Sequence, residues 1–259
     1  MTHAIGRMTL LAFLCTAGAA GWAGEAPHKA PHKGAHSWDY GKEHGPEHWA
    51  DLDPKFAACK AGHHQSPIDI VETVKDDLPA IVFDYHPSPL RIVDNGHTVM
   101  APYGPGSSIR VGGHTYALKQ IHFHRPGENA VHGKRYAMEA HLVHSDDAGR
   151  LAVVAVLLEE GRENALVRDL WSHMPGEKEK EEVDDAVQID ATTLLPAGRG
   201  YYAFEGSLTT PPCSEDVAWL VLKEPVGVSA EEVARFARLY PNDARTIQPA
   251  YGRVVRESR

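Results

Sequence analysis

Basic residues are in short supply in this chain. Lys and Arg number 26 against 35 Asp and Glu, giving a formal charge of -9 with His neutral. A nucleic-acid partner needs a basic face, so that class of function is excluded on charge. Long apolar runs are missing near the N-terminus as well. The stretch Met8 to Leu14 falls well short of the ~20 residues of a membrane span, so no stable membrane anchor is expected. Internal repeats are absent, and from Ser37 onward no second low-complexity break marks a domain boundary. With 42% hydrophobic and 24% charged residues, the body reads as a soluble globular domain with a sizeable core. Histidine runs against these shortages. Seventeen are present, enough to make a metal site worth looking for.

Residues 1–23 read as an export signal. A weakly basic start (His3, Arg7) precedes the apolar stretch, small residues follow from Ala17 to Ala23, and Gly21-Trp22-Ala23 offers a cleavage site. A retained interfacial anchor and a lipoprotein signal through Cys15 are the competing readings; the bulky Leu14 argues against the second. Of the three cysteines, cleavage removes Cys15 and leaves Cys59 and Cys213 in a periplasmic or extracellular setting. A disulfide is the natural state there, with two buried free thiols the alternative. Residues 24–36, rich in Pro, His and Lys, read as a flexible linker. His28, His32 and His36 could scavenge metal weakly, although a solvated tail is the plainer reading. The folded domain is expected over residues 37–259.

Strand character dominates that domain. Ala80–Asp84, Thr98–Ala101, Ser108–Val111, Thr115–His124, Ala137–His144, Ala152–Leu158 and Val217–Leu222 are short and bounded by Gly, Pro, Asn or Asp. The apolar run 151–158 suits a central strand covered on both faces. Helices are few: one over Glu163–His173, with Leu166, Leu170 and His173 on one face, and one starting at Ser229, where Glu232 completes a capping box. The charged run Glu177 to Asp185 reads as a solvated loop or helix end. The pattern predicts a mainly β fold, one large twisted sheet with helices on its surface.

Gln120-Ile121-His122-Phe123-His124 is the sharpest local motif. Strand side chains alternate faces, so His122 and His124 point one way and Ile121 and Phe123 the other. In Glu139-Ala140-His141-Leu142-Val143-His144, Glu139, His141 and Val143 share a face. If the two strands pair, His141 brings a third imidazole to one point. Three neutral nitrogens with an open fourth position are the pattern of catalytic zinc. Gln120 and Glu139 are of the right type to hydrogen-bond the ligands' second nitrogens. His144 falls on the opposite face and reads as a buried, satisfied histidine; His132 sits in a turn.

From about Trp38 to Arg253 the chain resembles the α-class carbonic anhydrases, in their exported bacterial form. The matching stretches are Trp38-Asp39-Tyr40-Gly41, Gly45-Pro46-Glu47-His48-Trp49, Gln65-Ser66-Pro67-Ile68-Asp69-Ile70, Asn95-Gly96-His97, the two histidine motifs, Gly206-Ser207-Leu208-Thr209-Thr210-Pro211-Pro212 and Val221-Leu222-Lys223-Glu224-Pro225. They occur in the family's order.

The resemblance implies a single domain on a large twisted, mostly antiparallel sheet with a few short surface helices. It implies Zn2+ held by His122, His124 and His141, and reversible hydration of CO2 to bicarbonate and a proton by zinc-bound hydroxide. Val143, Val153, Leu208, Val217 and Trp219 match an apolar wall for CO2, and Thr210 lines the bicarbonate site. Thr209 matches the hydroxyl that orients the hydroxide and donates to Glu128, thirteen residues before His141. His97 matches the proton shuttle, with Asn95 and Tyr40 ordering the water between. Cys59 and Cys213 fall where exported members carry their disulfide. Departures from the family pattern are Gly127 and Asn129 around Glu128, Arg125-Pro126 after the second ligand, Met100 in place of Asn or Gln, and Thr246 in place of Pro. A catalytically silent binding protein, a zinc-handling protein and an esterase are the competing functions. Monomer and homodimer both stay open.

Overall fold

The computed structural model describes residues 38–259; the expected export signal and linker lie outside the described residues. A 13-stranded mixed sheet forms the body. Ten of its strands run from one edge as Glu181–Ile189, Ser88–Asp94, Val99–Pro102, His114–His124, Met138–Ser145, Leu151–Glu160, Val217–Leu222, Tyr201–Gly206, Val255–Ser258 and Thr73–Asp76, and Val82–Asp84, Ser108–Val111 and Val226–Val228 pair off this path. Most neighbours are antiparallel; Leu151–Glu160 runs parallel to Val217–Leu222, and Val255–Ser258 parallel to Thr73–Asp76. No helix among the described residues is long and apolar enough to cross a membrane.

The period-2 alternation of a strand sends consecutive side chains into two different cores. Ala152, Val154, Val156 and Leu158 join a core on one face with Ile121, Phe123, Leu142, Leu166, Trp171 and Phe236. Val153, Ala155 and Leu157 join a second core on the other face with Ile68, Ile70, Val217, Trp219 and Val221. Residues 152–158 are all buried, as a central strand covered on both sides requires.

Helices close the first core. Ala165–Ser172 is capped by Asn164, whose Oδ1 accepts from the N–H groups of Leu166 and Val167. It buries Leu166, Val167, Leu170 and Trp171. His173 ends it at the C-cap, half-exposed, because the face turns away from the sheet there. Ala230–Leu239 begins with the capping box: Glu232 N–H donates to Ser229 Oγ at 3.2 Å and Ser229 N–H to Glu232 Oε2 at 2.7 Å.

One expectation is corrected. The charged run 177–185 is not a loop or helix end throughout: from Glu181 it is the outermost strand, antiparallel to Ser88–Asp94 with a register shift between Asp184 and Gln188. Charges mark an exposed backbone, and a sheet edge is as exposed as a loop; acidic and basic side chains also keep an edge from pairing with other chains. Cys59 and Cys213 form a disulfide.

Candidate metal centre

Strand register builds the site in rows on the second-core face. His122 lies opposite His141, which lies opposite Ala155. One row over, Gln120, Val143, Val153 and Trp219 stand side by side across four strands. The row on the other side carries His124, Glu139 and Leu157. His122, His124 and His141 thus offer one ring nitrogen each within 4.8 Å of one another.

The second nitrogen of each imidazole identifies its tautomer. His122 Nδ1 faces Gln120 Oε1 at 2.9 Å, His124 Nδ1 faces the Asp243 carbonyl at 2.8 Å, and His141 Nε2 faces Glu139 Oε1 at 3.0 Å. All three partners are acceptor oxygens, so each of these nitrogens carries the proton and donates. His122 Nε2, His124 Nε2 and His141 Nδ1 are therefore bare lone pairs turned to one point. His124 Nε2 is buried without a hydrogen-bond partner, and His141 Nδ1 lies 3.3 Å from His122 Nε2. Lone pairs held that close repel unless a cation lies between them. Burial, reinforced by mutual repulsion, keeps His122 and His141 well below the usual imidazole pKa, so both are ready as neutral ligands. The donor set fits a metal ion.

Glu139 is fully buried and is itself held by Asn129, whose N–H reaches Oε2 and whose Nδ2 reaches Oε1, both at 2.7 Å. Burial raises its pKa; the Asn129 donors oppose that and favour the carboxylate. Asn129, a departure from the family pattern, is thus the support of the His141 partner. Gly127 fits the same crowding, since a Cβ there would stand 3.1 Å from the Met138 carbonyl and 3.4 Å from Glu139 Cβ.

Glu128 lies under the histidines, with Oε2 3.4 Å from His124 Nε2 and 3.9 Å from His141 Nδ1. Its Oε1 accepts from the Arg245 N–H at 2.8 Å. Burial pushes the carboxyl up to about 8, against the Arg245 N–H and the Thr209 side chain, which favour the ionised form. Thr209 is buried, while Leu208 and Thr210 on either side are partly open. Val153, Val217 and Trp219 are buried in the second core, with Val143 and Leu208 packed against it. Met100 lies opposite His122 in the neighbouring strand, which sets its thioether beside the ligands where an amide would be polar.

His97 stacks face to face on Trp38, ring centroids 3.6 Å apart and planes 7° apart. Its pKa is lowered by partial burial and by Lys178, with Asp39, Glu179 and Asp94 opposing. Asn95 Oδ1 accepts from His97 and Thr98 N–H, both at 2.9 Å, and so shapes the turn that presents His97. Tyr40 packs edge-on to Trp38 and Trp49, its hydroxyl buried without a partner. On the opposite sheet face, His144 bonds Tyr85 Oη at 2.8 Å and is satisfied in the core. His132 sits in a turn at positive φ.

Two residues have no role in the sequence reading, although Arg245 belongs to the family's closing segment with Gln248 and Pro249. Asp243 gives its carbonyl to His124 and its Oδ1 to the Arg125 N–H at 2.7 Å. Arg245 gives its N–H to Glu128. Neither contact uses a diagnostic side chain on the ligand, and both span more than a hundred residues.

The model of the eukaryotic-type carbonic anhydrase family matches residues 44–259. The chain belongs to the alpha carbonic anhydrase family. A carbonic anhydrase of Klebsiella pneumoniae is 42% identical over 212 residues, spanning 81% of this chain and 86% of that protein. One from Neisseria gonorrhoeae is 43% identical over 211 residues, spanning 81% and 83%. Among solved structures, the alpha carbonic anhydrase of Thermovibrio ammonificans in complex with the inhibitor sulfanilamide superposes with a TM-score of 0.83 at 41% identity, covering 86% of this chain and all of that one. The family is one of metalloenzymes, and the three histidines of this carbonic anhydrase stand together where they could hold a metal ion.

Proposed function

We propose that this carbonic anhydrase binds Zn2+ at His122, His124 and His141 and interconverts CO2 with bicarbonate and a proton. The observation that carries the reading is the convergence of three bare imidazole nitrogens, each with its second nitrogen bonded to an oxygen acceptor. Zinc held by three neutral nitrogens keeps a fourth position open and acidifies water bound there.

The protein's own groups do the rest. Val143, Val153, Leu208, Val217 and Trp219 supply an apolar wall that takes up an uncharged, linear molecule without gripping it. Thr209 accepts the hydrogen of the reacting water and passes its own to Glu128, which aims a lone pair at the CO2 carbon. Glu128 plays this part as the carboxylate; burial opposes that form and pushes its pKa up to about 8, the Arg245 and Thr209 donors favour it, and a cation held by the three histidines would favour it further. Thr210 binds the product anion. His97 carries the released proton to solvent, with Tyr40 and Asn95 ordering the water between it and the site. The Cys59–Cys213 bridge and the leader-like N-terminus support export to the periplasm or beyond.

Stopped-flow CO2 hydration by the zinc-loaded protein, compared with His141→Ala, tests the proposal. Fast hydration that the variant loses is the expected result. A folded, zinc-filled protein without hydration would overturn the enzyme reading.

A further inference from the structure

Arg245 is a charged residue only 1% exposed, a placement seldom adopted without a specific partner. Among the described residues its guanidinium makes no ion pair within 4 Å, although the Glu128 carboxyl is near enough to favour its charge. Nη1 donates to Gln65 Oε1 at 2.9 Å and to the Ser66 carbonyl at 2.7 Å, and Nη2 donates to the Cys59 carbonyl at 2.8 Å. These acceptors are neutral and lie within one short segment, 59–66.

Segment 59–66 in turn holds the loop that carries Thr209. Cys59 is bonded to Cys213, and Gln65 Nε2 donates to the Cys213 carbonyl at 3.0 Å. Ser66 N–H donates to Ser207 Oγ at 2.9 Å and Ser207 N–H returns a bond to Ser66 Oγ at 3.2 Å. Gly206 permits this approach: a Cβ there would lie 2.2 Å from Ser66 Oγ. Within the loop, Leu208 N–H donates to Ser214 and Cys213 N–H to Thr210. Meanwhile the backbone N–H of the same Arg245 sets Glu128. One residue therefore spans both members of the Thr209–Glu128 pair, its backbone on the carboxylate and its side chain on the frame of the hydroxyl.

We infer that Arg245 is a positioning residue for the reaction, its planar guanidinium keeping the Thr209 loop in register with Glu128 through the 59–66 segment. The inference rests on the functional reading above, which gives Thr209 and Glu128 their task. A displacement of ~1 Å in such a pair is enough to lower a rate by up to ~100-fold.

The test uses the zinc-loaded full protein. Arg245→Lys keeps the charge and loses the fork; Gln65→Met leaves Arg245 in place and removes its acceptor together with the Nε2 bonds to the Cys213 carbonyl and to Glu215 Oε1. In stopped-flow CO2 hydration, Arg245→Lys is expected to lower kcat/KM by ~10- to 100-fold and kcat by a smaller factor, because proton delivery through His97 is untouched. Gln65→Met follows the same pattern to a smaller extent. His97→Ala, the control for proton delivery, lowers kcat and spares kcat/KM. Hydrogen exchange on the metal-free proteins reads the geometry apart from activity. Peptides over residues 207–214 are expected to exchange faster in both variants, with the strands Met138–Ser145 and Leu151–Glu160 unchanged. Unchanged kcat/KM in both variants, or kcat and kcat/KM falling together with uniformly faster exchange, would overturn the inference. If Arg245→Lys does not fold, Arg245→Gln, which keeps amide donors without the planar fork, decides in its place. An inactive wild type would sink the functional reading instead, and exchange in the 207–214 loop would still decide on Arg245.

Discussion

Replacing Glu139 by Gln isolates the link between the buried carboxylate and the metal-facing nitrogen of His141. In the native protein every neighbour of the carboxylate is a donor: Asn129 N–H on Oε2, and Asn129 Nδ2 with His141 Nε2–H on Oε1. A glutamine of the same shape must turn its NH2 toward one of these sets. Turned toward His141, it asks the imidazole to accept at Nε2. The proton then moves to Nδ1, the atom that faces His122 and His124, and the ligand lone pair is lost. Turned toward the Asn129 N–H, it sets donor against donor in a fully buried position, at a cost of about 1–3 kcal/mol. Loss of such outer partners weakens metal binding by about 10- to 100-fold, which corresponds to about 1.4–2.8 kcal/mol. Competition for Zn2+ against a chromophoric chelator at neutral pH measures it, with urea unfolding of the metal-free protein reporting the buried-donor cost. The variant is expected to bind zinc weakly and to unfold at lower urea. A Glu139→Gln protein with wild-type zinc affinity and stability would refute the tautomer argument.

Two further outcomes concern stability. The Cys59–Cys213 bridge closes a separation of 154 residues, so the double replacement by Ala is expected to lose about 5 kcal/mol in the chain-entropy model. Urea midpoints with and without reductant check this, and equal midpoints for wild type and variant count against a contributing bridge. Burial lowers His144 to about 4 from the usual 6.5. The unfolded chain therefore takes up the proton first, and the stability present above pH 6.5 drains away as pH falls toward 4. Between pH 7 and 4.5 the loss through this group is about 2 kcal/mol. His144→Leu is expected to be less stable at neutral pH, having lost the Tyr85 bond, with a flatter urea-midpoint profile over that range; an unaltered slope would show that His144 does not titrate as placed.

Much of the site was legible because its chemistry sits in two short motifs whose geometry is local. Alternation along Gln120–His124 and Glu139–Val143 holds in any β-strand, so which residues share a face did not depend on the fold. The same locality made the Ser229–Glu232 capping box and the central strand 151–158 readable. The run 177–185 was harder, since charge reports exposure and leaves open whether the exposed backbone is a loop or a sheet edge.

By itself the sequence determined which side chains could carry a metal centre and which strand faces they occupy. Only the tertiary structure decided that His141 stands opposite His122, where a two-residue slip would have kept the face and lost the cluster. It also decided that the His124 tautomer is set by the carbonyl of Asp243, and that Arg245 joins Glu128 to the Thr209 loop. Register is a property of two strands together. A backbone carbonyl or N–H is chemically the same at every position of the chain, so nothing in a residue's identity announces that its main chain will complete a site more than a hundred residues away.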